Sequence, residues 1–379
     1  MPYTENYKLF KGLENIPVAK TSLSLINGEE GKLFYRGIAV ESLSKESSFE
    51  EVAFLLWYKK LPNKIELDEI KQLFINNREI HPDMIEAISK IPKNAHPMDV
   101  LRSCVSLLGI YEKPEKPNDK ITRAAKISAK LPTIASYHYR LSQNIEIIPP
   151  DKSLGHASNF YYMITGKKPD EEISKLMNSI FVLHAEQGLN ASTFTAMVIA
   201  STLSDMYSSI TGAMGALKGP LHGGANEKVL DMVEEIDLVE NVENFVETAL
   251  KEKRKIPGFG HRVYKTYDPR SIVLKEYAKE LSLKLGDTKY YPITEKLEEV
   301  VIKKLGHRKI FPNVDLYSGI VYKLLGFSKE LFTVIFALAR VVGWTAHVIE
   351  YTSENKIIRP CGIYTGPLQA EYIPMEARK

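Results

Sequence analysis

Cysteine is nearly absent from this chain: Cys104 and Cys361 are the two in 379 residues, and neither lies in a C-x-x-C spacing. That excludes a disulfide framework and a thiolate metal site, and it fits a reducing compartment. Charge of one sign is lacking too, since 50 basic residues face 47 acidic ones and the net charge is +3. No Lys/Arg block is long enough to track a phosphate backbone, so no nucleic-acid partner is expected and anion recognition should be local. Met1 to Asn6 lack the basic and apolar regions of a signal peptide. The longest apolar stretch, Phe332 to Ile349, is broken by Arg340 and His347. It therefore reads as a buried helix with a polar task rather than a membrane span, and cytoplasm is the expected location.

Strand-like alternation is scarce, and no βαβ rhythm appears, which excludes a doubly wound nucleotide-binding sheet. Gly258-Phe259-Gly260 lacks the third glycine of a dinucleotide fingerprint, and Gly215 to Gly219 has no G-K-[ST] phosphate cradle. What is present is helical periodicity. Ser48 is a candidate N-cap before Phe49–Lys60, whose Val52, Leu55 and Leu56 share a face, and Pro62 ends the run. Further helices are expected at Leu67–Asn77, Pro97–Leu108, Ile121–Leu141 with Pro132 as an interruption, Glu171–Ala185, Thr193–Ser208, Asn226–Ile236 and Asn241–Lys253. Others follow at Pro269–Leu285, Ile293–Leu305, Leu316–Leu325 and Lys329–Tyr351. A small hairpin is expected from Ser22–Ile26 and Leu33–Tyr35 around Asn27-Gly28, and another extended piece at Ile357–Tyr364. The length fits a large domain carrying a smaller one, and composition shifts near Gly212–Gly219 and Gly326 mark candidate hinges.

The candidate chemistry centres on two histidines in glycine-rich settings. His222 lies in Gly219-Pro220-Leu221-His222-Gly223-Gly224-Ala225-Asn226-Glu227, and His261 in Pro257-Gly258-Phe259-Gly260-His261-Arg262. Glycine is costly in regular structure, so such segments point to close backbone access beside an imidazole. The other histidines have structural readings: His81 and His96 precede prolines and suit caps, and His347 suits a hydrogen-bonded core position. Asp315, at a loop-to-helix junction, is either a first-turn acid or a functional carboxylate. Asp268 before Pro269 reads as an N-cap, which would place Arg270 at a helix N-terminus suited to anion recognition. Arg340, amid apolar residues, must find a protein acid or a bound anion, and Arg359 between Ile358 and Pro360 poses the same question. Zinc ligation by the two histidines and Asp315 is disfavoured, because no H-x-x-H or H-E-x-x-H pattern presents them.

With these segments in order, and with Tyr35-Arg36-Gly37, His96-Pro97-Met98-Asp99 and Asn190-Ala191-Ser192-Thr193 beside them, the chain resembles the citrate synthase family in its short archaeal and bacterial form. The resemblance implies an all-α homodimer, with a large domain formed by residues 1–219 and 326–379 and a mobile small domain formed by residues 220–325. It implies condensation of acetyl-CoA with oxaloacetate, without a cofactor or metal. Asp315 would be the base, His222 the donor to the enolate and His261 the group polarising the ketone. Arg270, Arg340 and Arg359, the last reaching from the partner subunit, would bind oxaloacetate with the two histidines. Lys255, Ile256, Pro257, Gly258, Phe259, Gly260 and Lys265 would contact CoA, and the glycines beside His222 would leave room for the thioester. Gln187 would join the oxaloacetate contacts, at a place where many members carry a histidine that helps hold that substrate; it can donate a hydrogen bond but carries no charge. A 2-methylcitrate synthase using propionyl-CoA shares these motifs, since one methylene gives only about 1–3 kcal/mol of discrimination. A citryl-CoA lyase module and a non-catalytic scaffold are the remaining alternatives.

Overall fold

The computed structural model describes residues 8–112, 119–367 and 369–378, so Met1 to Asn6, with the signal-peptide question they raise, lie outside the described residues. The first half contributes helices α1 (Val40–Glu46), α2 (Phe49–Tyr58), α3 (Lys64–Asn76), α4 (Pro82–Ser89), α5 (Pro97–Tyr111), α6 (Lys120–Ser142), α7 (His156–Thr165) and α8 (Glu171–His184). Then follow α9 (Ala191–Ser201), α10 (Met206–Leu217), α11 (Ala225–Ile236), α12 (Val242–Lys251), α13 (Pro269–Leu285), α14 (Tyr290–Leu305), α15 (Val314–Leu324) and α16 (Phe332–Tyr351). Helix accounts for 62% and strand for 3%, which makes the fold all-α with a minor sheet, as expected. That sheet is antiparallel, in the order β1 (Ser24–Asn27), β2 (Lys32–Tyr35), β3 (Ile38–Ala39), with Asn27 opposite Lys32 across the turn.

Local chemistry explains many of the boundaries. Ser48 forms a full capping box with Glu51 at the start of α2. His81 and His96 cap α4 and α5 by accepting the amides of Asp83 and Met98 on Nδ1, and in both helices a proline fills the first position.

Several expectations fail for tertiary reasons. Pro132 does not interrupt α6, which runs unbroken from Lys120 to Ser142. A proline inside a helix costs about 3 kcal/mol, and here an unbroken series of buried residues from Ile127 to His138 offsets it. The expected helix Thr193–Ser208 is two helices: Leu203 adopts a positive φ of 63°, and Asp205 caps α10 by accepting the amide of Ser208. The glycine-rich stretch near Gly212 is therefore mostly helix interior. A Cβ on Gly212 would lie 2.3 Å from Ile199 Cδ1, so this glycine lets α10 close on α9. Ile357–Tyr364 forms no strand, and α1, α4, α7 and α10 are helices that periodicity did not single out.

Helix α16 is the spine of the molecule, packed by α2, α5, α6, α8, α9, α10 and α11. Among the described residues, Lys329–Tyr351 alone is long and apolar enough to cross a membrane, and 94% of its apolar window is buried inside the protein. Such an all-round apolar helix is a core element. Helix α15 packs on α11, α13 and α14, and α14 packs on α11, α12 and α13. At Gly343 the backbone of α16 meets the end of α8 so closely that an added Cβ would lie 2.3 Å from the Ala185 carbonyl oxygen and 2.6 Å from Glu186 Oε2. Gly343→Ala is expected to destabilise the protein by about 1–3 kcal/mol through overpacking, read as a lower denaturant midpoint at unchanged m-value.

Candidate active site

The loop Lys218–Gly224 between α10 and α11 carries His222. Gly223 donates its amide to Leu217 O at 2.9 Å, and a Cβ there would lie 2.4 Å from the same oxygen. That glycine serves the turn itself, whereas Gly224 has open space where a side chain would begin. His222 Nε2 accepts the Ser192 amide at 3.3 Å and lies 2.8 Å from Ser192 Oγ. A backbone N–H can only donate, so Nε2 is the unprotonated nitrogen and Nδ1 carries the hydrogen. Trp344 Nε1 and the cap Asn190 hold the Ser192 hydroxyl, at 3.1 and 2.7 Å.

His261 is fixed with its ring reversed. Its Nδ1 accepts the amides of Val263 and Tyr264, both at 3.1 Å, which leaves Nε2–H as the free donor. The preceding loop is stitched to the one before α15: Gly260 donates to Phe311 O, Asn313 donates to Gly258 O, and Asn313 Nδ2 donates to Gly260 O. Gly258 and Gly260 have φ of 82° and 80°, and Gly258 lies so close to Leu316 that a Cβ would sit 2.9 Å from its Cα. This seam sets His261 beside α15, where Asn313 is the N-cap and Asp315 sits one residue inside the helix.

Burial pushes the Asp315 carboxyl up to about 7, although Arg270 and Arg340 pull it down. Burial, aided by Arg340, lowers His222 to about 4, and burial, aided by Arg270, lowers His261 to about 4. Both imidazoles are neutral near pH 7, while Asp315 titrates there. Arg270 and Arg340 both act on Asp315, Arg340 also on His222 and Arg270 also on His261, so the two arginines link the three groups electrostatically.

The arginines differ. Arg270 is buried in a two-point pair with Asp268, Nε to Oδ1 at 3.0 Å and Nη2 to Oδ2 at 2.7 Å. Burial alone would weaken its charge, but Asp268 more than offsets this and holds its pKa above the usual arginine value. Arg340 has no such partner. It is 1% exposed, its Nε donates to His184 O at 2.5 Å, its guanidinium lies 4.6 Å from the Phe336 ring centroid, and its Nη2 has no partner. Burial lowers it to about 10, with Glu186 supporting the charge. Of the two partners expected for Arg340, no protein acid forms an ion pair with it among the described residues, and Nη2 retains unused donor capacity. Gln187 is similar: Nε2 donates to Tyr264 OH at 3.3 Å, and the buried Oε1 accepts nothing.

The structure does not bring every expected residue to this cluster. Arg359 is exposed in the segment after α16, Lys255 is exposed, and Lys265 points its Nζ at Arg262 O at 3.2 Å. Ile256 and Gly258 are buried, and Pro257, Phe259 and Gly260 are half-buried. Sequence reasoning missed Tyr264, three residues after His261, and the buried Glu186–His347 pair at 2.9 Å. Glu186 stands immediately before Gln187 and would have been noticed as the acid nearest the anomalous arginine, had the approach of α8 to α16 been visible in sequence.

Two neutral imidazoles presenting free N–H donors, a carboxylate raised to about 7 and a buried guanidinium with donor capacity define an acid–base enzyme acting on a carboxylate-bearing substrate. The family model for the citrate synthase C-terminal domain matches residues 12–361. The citrate synthase of Synechocystis is 45% identical over 378 residues, covering 99% of this chain and 95% of its own. A 2-methylcitrate synthase of Shewanella oneidensis is 37% identical, covering 97% of each chain. Among solved structures, citrate synthase from Thermotoga maritima superposes with a TM-score of 0.90 at 49% identity, covering 98% of this chain and 100% of its own. The ternary complex of the Thermoplasma acidophilum citrate synthase with carboxymethyl coenzyme A and oxaloacetate superposes with a TM-score of 0.94 at 37% identity, with 98% and 100% coverage. The chain belongs to the citrate synthase family.

Between about pH 4 and 6.5 the unfolded chain binds more protons at His222 and His261 than the folded one, so these groups make stability fall as pH drops through that window. Asp315 acts oppositely: the folded state holds its proton up to about 7, and its contribution declines as pH rises from 3.8 towards that value. Histidine NMR is expected to show His222 and His261 without a titration step between about pH 5.5 and 8, where an unperturbed imidazole would titrate.

Proposed function

We propose that the enzyme condenses acetyl-CoA with oxaloacetate and water to give citrate and CoA. The observation that carries this is the set of proton donors and acceptor: His222 offers Nδ1–H, His261 offers Nε2–H from a loop hydrogen-bonded to the start of α15, and Asp315 on α15, raised to about 7, stands ready to accept a proton. A methyl proton next to a thioester carbonyl is weakly acidic, so a carboxylate removes it only when the forming enolate oxygen meets a placed donor. Asp315 takes that proton while His222 Nδ1–H stabilises the oxygen. The resulting nucleophilic carbon attacks the oxaloacetate ketone, whose oxygen is polarised by His261 Nε2–H and becomes an alkoxide, then takes up one proton, balancing the one removed by Asp315, to give the citryl thioester. Water then cleaves the citryl thioester, releasing citrate and CoA.

Arg270 and Arg340 supply the positive charge for the oxaloacetate carboxylates, and the unused Nη2 of Arg340 and the amide of Gln187 are available as polar contacts. Because Gln187 cannot ionise, it adds no step of its own to the pH dependence of oxaloacetate binding. The segment Lys255 to Gly260, with Lys265, takes CoA, and residues 220–325 act as a small domain closing over the bound substrates and excluding water. A homodimer completes the site, with the exposed Arg359 of one subunit reaching the other. No cofactor or metal enters this scheme, and the setting is cytoplasmic. Propionyl-CoA is the second acyl substrate to consider, since a 2-methylcitrate synthase is among the relatives.

Thiol release from acetyl-CoA and propionyl-CoA at equal concentrations, with oxaloacetate present, tests the reading; release from neither would refute it, and a preference for propionyl-CoA would reassign the substrate. Asp315→Asn is expected to abolish turnover while leaving oxaloacetate binding largely intact by calorimetry. In the wild type, kcat should fall below about pH 7 as Asp315 becomes protonated.

A further inference from the structure

Glu298 lies on α14, which carries none of the groups assigned above, yet the residue is 4% exposed and both of its carboxylate oxygens are engaged. Oε1 accepts the Tyr267 hydroxyl at 3.0 Å. Oε2 accepts the Tyr317 hydroxyl and, at 3.0 Å, the ammonium of Lys275. Lys275 also lies 5.8 Å from the Tyr317 ring centroid, closing a compact knot.

The three partners come from three segments. Tyr267 ends the loop that begins at His261 and stands next to Asp268, Tyr317 is two residues beyond Asp315 on α15, and Lys275 is five residues beyond Arg270 on α13. Tyr267 also packs on Phe311, ring centroids 5.3 Å apart, and the Phe311 carbonyl accepts the Gly260 amide. Burial and the Glu298 charge push Tyr267 up to about 12 and raise Tyr317 further, so both phenols stay protonated and donate. A buried carboxylate costs free energy unless paired, and here the compensating donors come from the segments that carry the reacting groups.

We propose that Glu298 is a positioning residue that locks the His261 loop, the Arg270 helix and the Asp315 helix into one rigid unit, so that base and ketone-polarising donor keep their mutual geometry. The proposal rests on the roles given to Asp315 and His261 above. Glu298 touches no substrate in this account and acts through Tyr267 and Tyr317.

The test compares Tyr267→Phe, Tyr317→Phe, the double variant and Glu298→Gln in the full-length enzyme. Tyr317→Phe is expected to lower kcat about tenfold with the oxaloacetate KM within about twofold, because it loosens the helix bearing the base. Tyr267→Phe should also raise the oxaloacetate KM, and the double variant should lose no more than Glu298→Gln, since all of them release one clamp. Additive losses, or a lowered melting temperature with kcat and KM unchanged, would overturn the proposal. Hydrogen exchange supplies a readout independent of turnover: Glu298→Gln should speed exchange in both 260–268 and 314–319, and unchanged rates in either segment would also overturn it. A wild type that releases no CoA would instead count against the roles of Asp315 and His261.

Discussion

The Asp268 carboxylate is the constraint on which the site depends. It accepts the Arg270 amide as the cap of α13, pairs with the Arg270 side chain at two points, and accepts the Val314 amide at the first residue of α15. One buried anion thus ends the His261 loop, begins α13 and touches the start of the helix that bears Asp315. Removing one partner of such a pair typically costs about 3–5 kcal/mol, because the other charge is left buried alone. Its geometry is therefore strongly enforced, and whatever is attached to it inherits that order.

Around this pair the charges divide the labour. Arg270 is compensated within the protein, whereas Arg340 is balanced at longer range by Glu186, which burial would neutralise but which His347 and Arg340 hold ionised. Two imidazoles kept neutral next to two guanidinium groups follow from the same physics, since a further cation there would be opposed by both burial and like charge. Asp315 sits where burial outweighs the pull of the arginines, and that net effect holds its carboxyl at about 7.

Much of this was legible in the sequence, and the reasons differ by residue. The two histidines announced themselves through glycines, and the positive φ of Gly258 and Gly260 shows why those residues are there. Arg340 announced itself by polarity inside an apolar helix. The sequence offered no comparable sign for Ser192 as the fixer of the His222 tautomer, because that contact joins residues 30 apart through a backbone amide. Pro132 misled because local propensity favours a break there, and packing against neighbouring helices outweighs it. Glu298 was invisible as well, since one glutamate beside Glu295 and Glu299 on an amphipathic helix carries no local signature.

Helix α16 places Arg340 three residues before Gly343, and the same helix forms the middle of the core. The buried arginine with unused donor capacity and the glycine that lets the helix seat against α8 therefore share one turn of backbone, whose shape neither can alter without moving the other. A substitution at either position therefore acts on both, because this turn keeps its seat against α8 only while its volume and its axis are preserved together.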